Sequence, residues 1–127
     1  MTNSSQTDQP ATHWRIGAAQ CDFTPGQPRH LCGYPHVERI STGIHDPLLA
    51  SAIVIDNNDQ IVAFVGCDVL YVPRTTIRNA VKRIAEQTDL PADHILISAT
   101  HTHSGPVTIT MLSTSADTHV PKPQPED

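Results

Sequence analysis

Two histidines, His101 and His103, stand one residue apart in a segment rich in hydroxyl side chains and followed by a Ser-Gly-Pro sequence. In extended backbone, residues i and i+2 point to the same side, so both imidazole rings can converge on one ion. Neutral imidazole is a standard zinc ligand, and zinc makes its bound water a nucleophile near neutral pH. Because nearby histidines also occur by chance, a pair of satisfied loop residues is the alternative.

Asp68 is a further group that can do chemistry, because it directly follows an apolar segment that ends at Cys67. A carboxylate in that place can ligate a metal or orient a histidine. The alternative is a cap or an anchor for the loop before the next helix.

Two further residues have two readings each. His45 can lie at the site or in a turn before a strand. Ser104 can be a nucleophile, but Ser-Gly-Pro is more typical of a turn and is no G-x-S-x-G elbow.

The apolar pattern predicts the elements that position these residues. Strands are predicted over residues 14–22, 48–56, 60–67 and 94–99, with Asn57-Asn58-Asp59 joining the second and third as a hairpin. A helix is predicted between Pro73 and Pro91, from apolar residues at helical spacing: Ile77, Ala80, Val81, Ile84 and Ala85.

A long irregular stretch, residues 27–46, separates the first two strands, and loops of that length are commonly functional. Arg29, Tyr34 and Arg39 lie in it and either line a cleft or are solvated at the surface. Strand, helix and strand with short connections form a βαβ unit, so the strands 60–67 and 94–99 are expected to be parallel. The fold class is therefore α/β, a mixed sheet with a hairpin and a βαβ unit. Ligands collect beyond the carboxyl ends of strands in such sheets, which places Asp68 and His101 at the same edge.

Composition and charge narrow the classes of function. A net charge of −5, without a basic stripe or stacking aromatics, argues against a nucleic-acid partner. The three cysteines form no CxxC pair.

The chain divides into three regions by composition. Residues 1–12 are predicted to be a disordered lead and not a signal peptide, residues 13–112 the folded region, and residues 113–127 a polar, proline-rich tail. No apolar run reaches the roughly 20 residues of a transmembrane segment. A cytoplasmic location is therefore the default expectation.

The segment Thr100–Pro106 matches the THTHSGP signature of the neutral/alkaline, non-lysosomal ceramidases. Other short elements resemble that family and follow in the same order: Asp22-Phe23-Thr24-Pro25, Gly33-Tyr34, Gly43-Ile44-His45 and Gly66-Cys67-Asp68. The seven-residue motif is specific, and the ordered set makes coincidence improbable. The chain therefore resembles the N-terminal region of this family over about residues 14–110.

The resemblance implies a zinc-dependent hydrolase that cleaves the N-acyl amide of ceramide into a fatty acid and sphingosine. It implies that His101 is a zinc ligand and that His103 belongs to the same active-site cluster, where it is expected to contact the substrate or transition state. Asp68, which the topology places at the same edge of the sheet, is the second catalytic candidate. Zinc would polarise the amide carbonyl while its bound water attacks the amide carbon. The family's other ligands, a His, a Glu and a Tyr, lie downstream of this motif. The chain is therefore expected to be an incomplete part of a larger α/β metallohydrolase domain and to have little or no activity alone.

One departure from the family pattern bears on the substrate. Val107-Thr108 stands where ceramidases usually have glycines, so the substrate is expected to be a small-molecule or lipid amide of which ceramide is one case. Two alternatives stay open: a non-catalytic remnant or interaction module, and a different metallohydrolase built on the His-x-His pair. An incomplete sheet would also expose an apolar edge, which predicts self-association.

Overall fold

A four-stranded mixed sheet forms the body of the structure, a computed structural model that describes residues 13–110 and 118–119. The elements are β1 (Arg15–Asp22), β2 (Leu49–Asp56), β3 (Ile61–Cys67), α1 (Arg74–Gln87), the 3-10 turn (Ala92–His94) and β4 (Ile95–Ala99). The strands lie in the order β1-β2-β3-β4, with β1 antiparallel to β2, β2 antiparallel to β3, and β3 parallel to β4. The helix α1 and the 3-10 turn connect β3 to β4.

The predicted α/β class is confirmed, including the hairpin and the parallel βαβ unit. Each strand begins one residue later than predicted and ends at the predicted residue. At β4 the difference arises because His94 belongs to the 3-10 turn, where its backbone N–H donates to the carbonyl of Pro91 at 3.0 Å. The predicted lead at residues 1–12 lies outside the described residues, and so does the predicted tail apart from residues 118–119.

The turn between β2 and β3 depends on asparagine. Asn58 has a φ of 72°, in the left-handed region that asparagine tolerates better than most residues. The Asp56 carboxylate accepts a hydrogen bond from the Asn58 N–H at 2.7 Å, and the Asn57 side chain accepts from the Gln60 N–H at 2.8 Å. Side chains that bond their own turn in this way explain why the local sequence predicts the hairpin.

The helix α1 has the amphipathic character that its sequence predicts. Its five apolar residues at helical spacing are half-buried, while the charged residues of the other face, Arg78, Lys82, Arg83 and Glu86, are exposed. No residue of this helix is fully buried. Among the described residues, no helix is long and apolar enough to cross a membrane.

The strand β1 lies at one edge of the described sheet, and all eight of its residues are exposed. The strand register also aligns Ile53, Phe64 and Leu96 in one row across the sheet, and all three are exposed. An exposed edge strand beside an apolar row is a template for pairing with another chain. Both features favour the predicted self-association.

We expect the purified chain to show a mass above 13.8 kDa that rises with protein concentration. The change Ile16→Lys on β1 should shift the equilibrium toward monomer, because a charge on an edge strand opposes pairing. Light scattering after size-exclusion chromatography measures the mass. Ile44→Lys is the matched control, since Ile44 is 65% exposed, against 71% for Ile16, and lies outside the sheet. A monomer at every concentration would refute the expectation.

Candidate functional site

The carboxyl ends of β3 and β4 bring Asp68 and His101 to the same edge of the sheet. The Thr100 N–H donates to the carbonyl of Cys67 at 2.9 Å, and the His101 N–H donates to the carbonyl of Val69 at 3.1 Å. The Thr100 hydroxyl donates to the Asp68 carboxylate at 2.9 Å. The segment after β4 is therefore tied directly to the segment after β3, as expected for neighbouring parallel strands.

The imidazole of His101 is held in one orientation by the backbone of the neighbouring segment. Its Nδ1 lies 3.0 Å from the carbonyl oxygen of Leu70. Because a carbonyl oxygen only accepts, Nδ1 carries the proton of the neutral ring and Nε2 keeps a lone pair. A backbone carbonyl on the far nitrogen is a common support for a metal-ligating histidine. The Tyr71 ring meets His101 edge to face, with centroids 5.2 Å apart. His101 is thus prepared to act as a ligand through Nε2.

The backbone at His101 differs from the expectation. Extended backbone was expected through the His-x-His pair, and this is wrong, because His101 has a φ of 64° in the left-handed region. The two rings nevertheless lie close together, with centroids 5.4 Å apart and an interplanar angle of 73°. Their proximity therefore arises from a turn of the backbone at His101 and not from the pleat of a strand.

The imidazole of His103 packs against the long loop between β1 and β2. The Tyr34 ring meets it edge to face, with centroids 5.6 Å apart, and the Arg39 guanidinium lies 3.9 Å from the centre of the Tyr34 ring. Gly33 has a φ of 96°, and a Cβ built there would lie 2.8 Å from Cγ and Cε1 of His103. Only glycine therefore fits at this point without a shift of the ring or the backbone. These loop contacts were missed in the sequence, where the Gly33-Tyr34 pair was the available signal.

A hairpin-like segment of the long loop, residues 29–41, carries Gly33 and Tyr34 to the motif. The Cys32 N–H donates to the Gly105 carbonyl at 3.0 Å, and beneath this bond Cys32 forms a buried cluster with Leu70 and Val107. Two backbone hydrogen bonds of 2.8 and 2.9 Å close the segment on itself: Leu31 N–H to Arg39 C=O, and Ser41 N–H to Arg29 C=O. The segment is thus fixed both to itself and to the histidine motif.

The two ends of the long loop are joined by Asp22, Thr24 and Leu48. The Asp22 carboxylate accepts from the Thr24 N–H at 2.8 Å and from the Thr24 hydroxyl at 2.6 Å. The Thr24 hydroxyl oxygen in turn accepts from the Leu48 N–H at 2.8 Å. The hydrogen bond from the Thr24 side chain, followed by that from its backbone, holds the pKa of Asp22 below its usual value. The Asp-x-Thr element of the sequence therefore supports the loop that borders the site.

Asp68 uses both carboxylate oxygens to hold neighbouring segments. One accepts from the Thr100 hydroxyl and the other from the Leu49 N–H, each at 2.9 Å. The Asp68 N–H also donates to the Leu49 carbonyl at 3.0 Å. The side chain thus joins the start of β2 to the residue before His101. This geometry favours the anchoring alternative, and a direct catalytic role for Asp68 stays a prediction.

A cleft of about 780 Å³ opens between the long loop and the histidine motif. Its wall includes Arg29, Arg39, Asp68, Thr102 and Ser104. The two arginines that sequence analysis placed either at a cleft or in solvent thus lie on a cleft. The wall offers guanidinium, hydroxyl and carboxylate groups beside the segment that holds His103.

His45 and Ser104, the two further candidates, lie on the wall of this cleft. The His45 ring is 97% exposed, and its Nδ1 lies 2.6 Å from the Asp46 carboxylate. That hydrogen bond, followed by the charge of Asp46, raises the pKa of His45. The Ser104 N–H donates to the Thr102 hydroxyl at 3.2 Å, which agrees with a turn.

The residues present fit one position of a zinc site. Across residues 13–110 and 118–119, no three His, Cys, Asp or Glu side chains form a group that could hold a metal ion. His101 fits a single ligand, because its Nδ1 bond leaves Nε2 with a lone pair. One oriented histidine, His101, could therefore bind zinc, and the His103 ring lies beside it.

Comparisons with known proteins match most of the chain to one family. The family model for the N-terminal region of neutral/alkaline non-lysosomal ceramidases matches residues 14–119. The neutral ceramidases of Drosophila pseudoobscura pseudoobscura and Oryza sativa subsp. japonica are each 32% identical, over 97 and 100 residues. These matches cover 73% and 76% of this chain but only 14% and 13% of the relatives. The chain therefore spans a small part of their length.

Solved structures share the fold of the described part. The crystal structure of neutral ceramidase from Pseudomonas aeruginosa matches with a TM-score of 0.67 and 26% identity, covering 76% of this chain and 16% of that chain. A ceramidase complexed with C2 matches with a TM-score of 0.65 and 24% identity, over the same shares of the two chains. The resemblance seen in the sequence is confirmed, and the chain belongs to the neutral/alkaline non-lysosomal ceramidase family, whose N-terminal region it matches.

Proposed function

We propose that this chain carries part of the active site of a zinc-dependent hydrolase of N-acyl amides. In this proposal His101 is a zinc ligand and His103 contacts the substrate or the transition state. The observation that carries it is the hydrogen bond from His101 Nδ1 to the Leu70 carbonyl, which leaves Nε2 with a lone pair just beyond β4. Membership of the ceramidase family supports a ceramidase-like hydrolase.

The proposed roles follow from the chemistry of the two rings. When bound, zinc supplies Lewis-acid chemistry toward an amide carbonyl and lowers the pKa of a water molecule. A catalytic zinc takes about three protein ligands. We assign one to His101 and place the others outside the described residues. The His103 ring, 5.4 Å from that of His101, is near enough to hydrogen-bond an amide held at the same point.

The cleft, whose wall includes Thr102 and Ser104 of the histidine motif but neither His101 nor His103, favours a substrate that carries polar groups besides the amide. Its wall combines Arg29 and Arg39 with the hydroxyl groups of Thr102 and Ser104. A few placed polar groups commonly fix the orientation of a ligand in such a cleft. An N-acyl amide of a hydroxylated amine, such as a sphingoid base, would offer hydroxyl groups to these side chains. We therefore propose a lipid or related amide as the substrate class.

We expect the purified chain to hydrolyse a short-chain ceramide very slowly or not at all, even with added zinc. The reason is that one oriented histidine does not hold a catalytic zinc. Release of free fatty acid measures the rate. Robust turnover that depends on His101 and is lost when a chelator is added would refute the proposal that this chain carries only part of the zinc site. Robust turnover that resists the chelator would refute the zinc chemistry.

Substrate contact can be measured separately from turnover. Titration of the isotope-labelled chain with the same short-chain ceramide is expected to shift the ring signals of His103 in an NMR spectrum. The exposed His13 ring, at the start of the described residues, is the internal control and should stay unchanged. A His103 signal that does not move at the highest soluble concentration would contradict the proposed contact.

A further inference from the structure

We propose that Tyr34 and Arg39 are positioning residues for His103 and hold its imidazole beside that of His101. This inference rests on the role proposed above for His103, and it assigns to the long loop a part in setting the geometry of the site. Four side chains form a row that we call the ring row: Arg39, Tyr34, His103 and His101.

The distances along the ring row are those of packed contacts. The Arg39 guanidinium carbon is 3.9 Å from the Tyr34 centroid, within the range of a cation–π contact. The Tyr34 and His103 centroids are 5.6 Å apart at 79°, and those of His103 and His101 are 5.4 Å apart at 73°. Edge-to-face aromatic pairs prefer this separation and this angle. Each member of the row therefore limits the orientation of the next.

The backbone holds both ends of the ring row in place. At one end, the Arg39 carbonyl accepts from the Leu31 N–H at 2.8 Å, inside the hairpin-like segment. At the other end, His101 is fixed by its bond to the Leu70 carbonyl and by the Tyr71 ring. Tyr34 and His103 lie between two anchored groups. Their orientation is thus a consequence of two separate parts of the chain meeting.

Gly33 allows the loop backbone to lie close enough to His103 for Tyr34 to contact the imidazole. Its Cα lies against the His103 ring, at a point where a Cβ would overlap the ring carbons. The loop backbone can therefore approach the imidazole from one side while the Tyr34 ring contacts it from another. A histidine that touches substrate must keep its ring within about 10–20° of the productive orientation. Because His103 is exposed, its contacts with the loop and with the His101 ring are what restrict its rotamers.

Nuclear magnetic resonance of the full isotope-labelled chain tests the proposal through the ring protons of His103. We expect Tyr34→Leu to move these signals toward their values in an unfolded peptide, because the aromatic ring current is removed. Tyr34→Phe should keep them near wild type, because the ring remains and only the hydroxyl is lost. Arg39→Met should move them part of the way in the direction seen for Tyr34→Leu. Arg78→Met, an exposed arginine of α1, is the matched control and should leave them unchanged.

Equal His103 signals in wild type and Tyr34→Leu would overturn the proposal, and so would equal changes in the Leu and Phe variants. If Tyr34→Leu does not fold, the arginine variants decide, and equal His103 signals in Arg39→Met and Arg78→Met overturn it. The readout needs neither zinc nor turnover. If Tyr34 and Arg39 do not orient His103, the proposed function is unaffected. If the chain shows no hydrolase activity, the contacts of the ring row can still be tested.

Discussion

Replacing Gly33 with alanine is expected to destabilise the chain by about 2 kcal/mol and to push the His103 ring away from His101. A left-handed backbone costs a residue with a side chain roughly 1–2 kcal/mol, and Gly33 has a φ of 96°. The new Cβ would also lie 2.8 Å from two carbons of the His103 ring, so the ring or the loop must move. Urea denaturation measures the free energy of unfolding, and the His103 ring signals report the displacement.

Gly43→Ala is the matched control, because Gly43 lies in the same long loop and a Cβ there meets no atom within 4 Å. This variant is expected to stay within about 0.5 kcal/mol of wild type, as most changes at open surface positions do. Similar unfolding free energies for the two alanine variants would contradict the close packing of the loop on His103. A destabilised Gly33→Ala chain with unmoved His103 signals would confine the effect to backbone strain.

Replacing Asp68 with alanine is expected to destabilise the chain by about 1–2 kcal/mol, mainly because the half-buried Leu49 N–H loses its acceptor, while the exposed Thr100 hydroxyl can bond water instead. The Thr100 hydroxyl and the Leu49 N–H would both lose the carboxylate oxygen that they bond at 2.9 Å. The start of β2 and the residue before His101 would then no longer be joined by this side chain. Denaturant unfolding again measures the loss.

Asp68→Asn separates the anchoring role from a catalytic one. The asparagine carbonyl can accept from the Leu49 N–H, while its amide donates to the Thr100 hydroxyl oxygen after the hydroxyl rotates. We therefore expect this variant to lose under about 1 kcal/mol, since hydrogen bonds to a neutral partner replace those to a charged one. Equal destabilisation by Asn and Ala would contradict an anchor that works through these two bonds. A stable Asp68→Asn chain that loses the substrate-induced shift at His103 would favour the predicted catalytic role.

Much of the fold was predictable because the signals for it are local. Alternating and continuous apolar runs marked the four strands, and the spacing from Ile77 to Ala85 marked the helix. The turn at Asn58 was predictable because asparagine tolerates the backbone that the turn requires. The parallel pairing expected for the βαβ unit then placed Asp68 and His101 at one edge of the sheet.

The geometry of the site was less predictable because it depends on contacts between distant segments. The left-handed backbone at His101 has no local signal, since a histidine in that region is uncommon. The contact of Tyr34 with His103 joins residues 69 positions apart, and it requires the loop to fold back on the motif. The bonds of Asp68 to Leu49 and Thr100 likewise join the starts and ends of different strands. Sequence pattern identified the residues, but the tertiary structure determined their partners.

Zinc titration of the isotope-labelled chain, followed at the ring nitrogens of His101, tests whether this residue is a zinc ligand. We expect excess zinc to shift the Nε2 signal of His101 while Nδ1 keeps the proton that it donates to the Leu70 carbonyl. We also expect His101→Ala to abolish the zinc-dependent changes at His103, whereas the control His13→Ala preserves them. A His101 Nε2 signal unaffected by zinc, or an equal zinc response in His101→Ala, would contradict the claim that this residue is a zinc ligand.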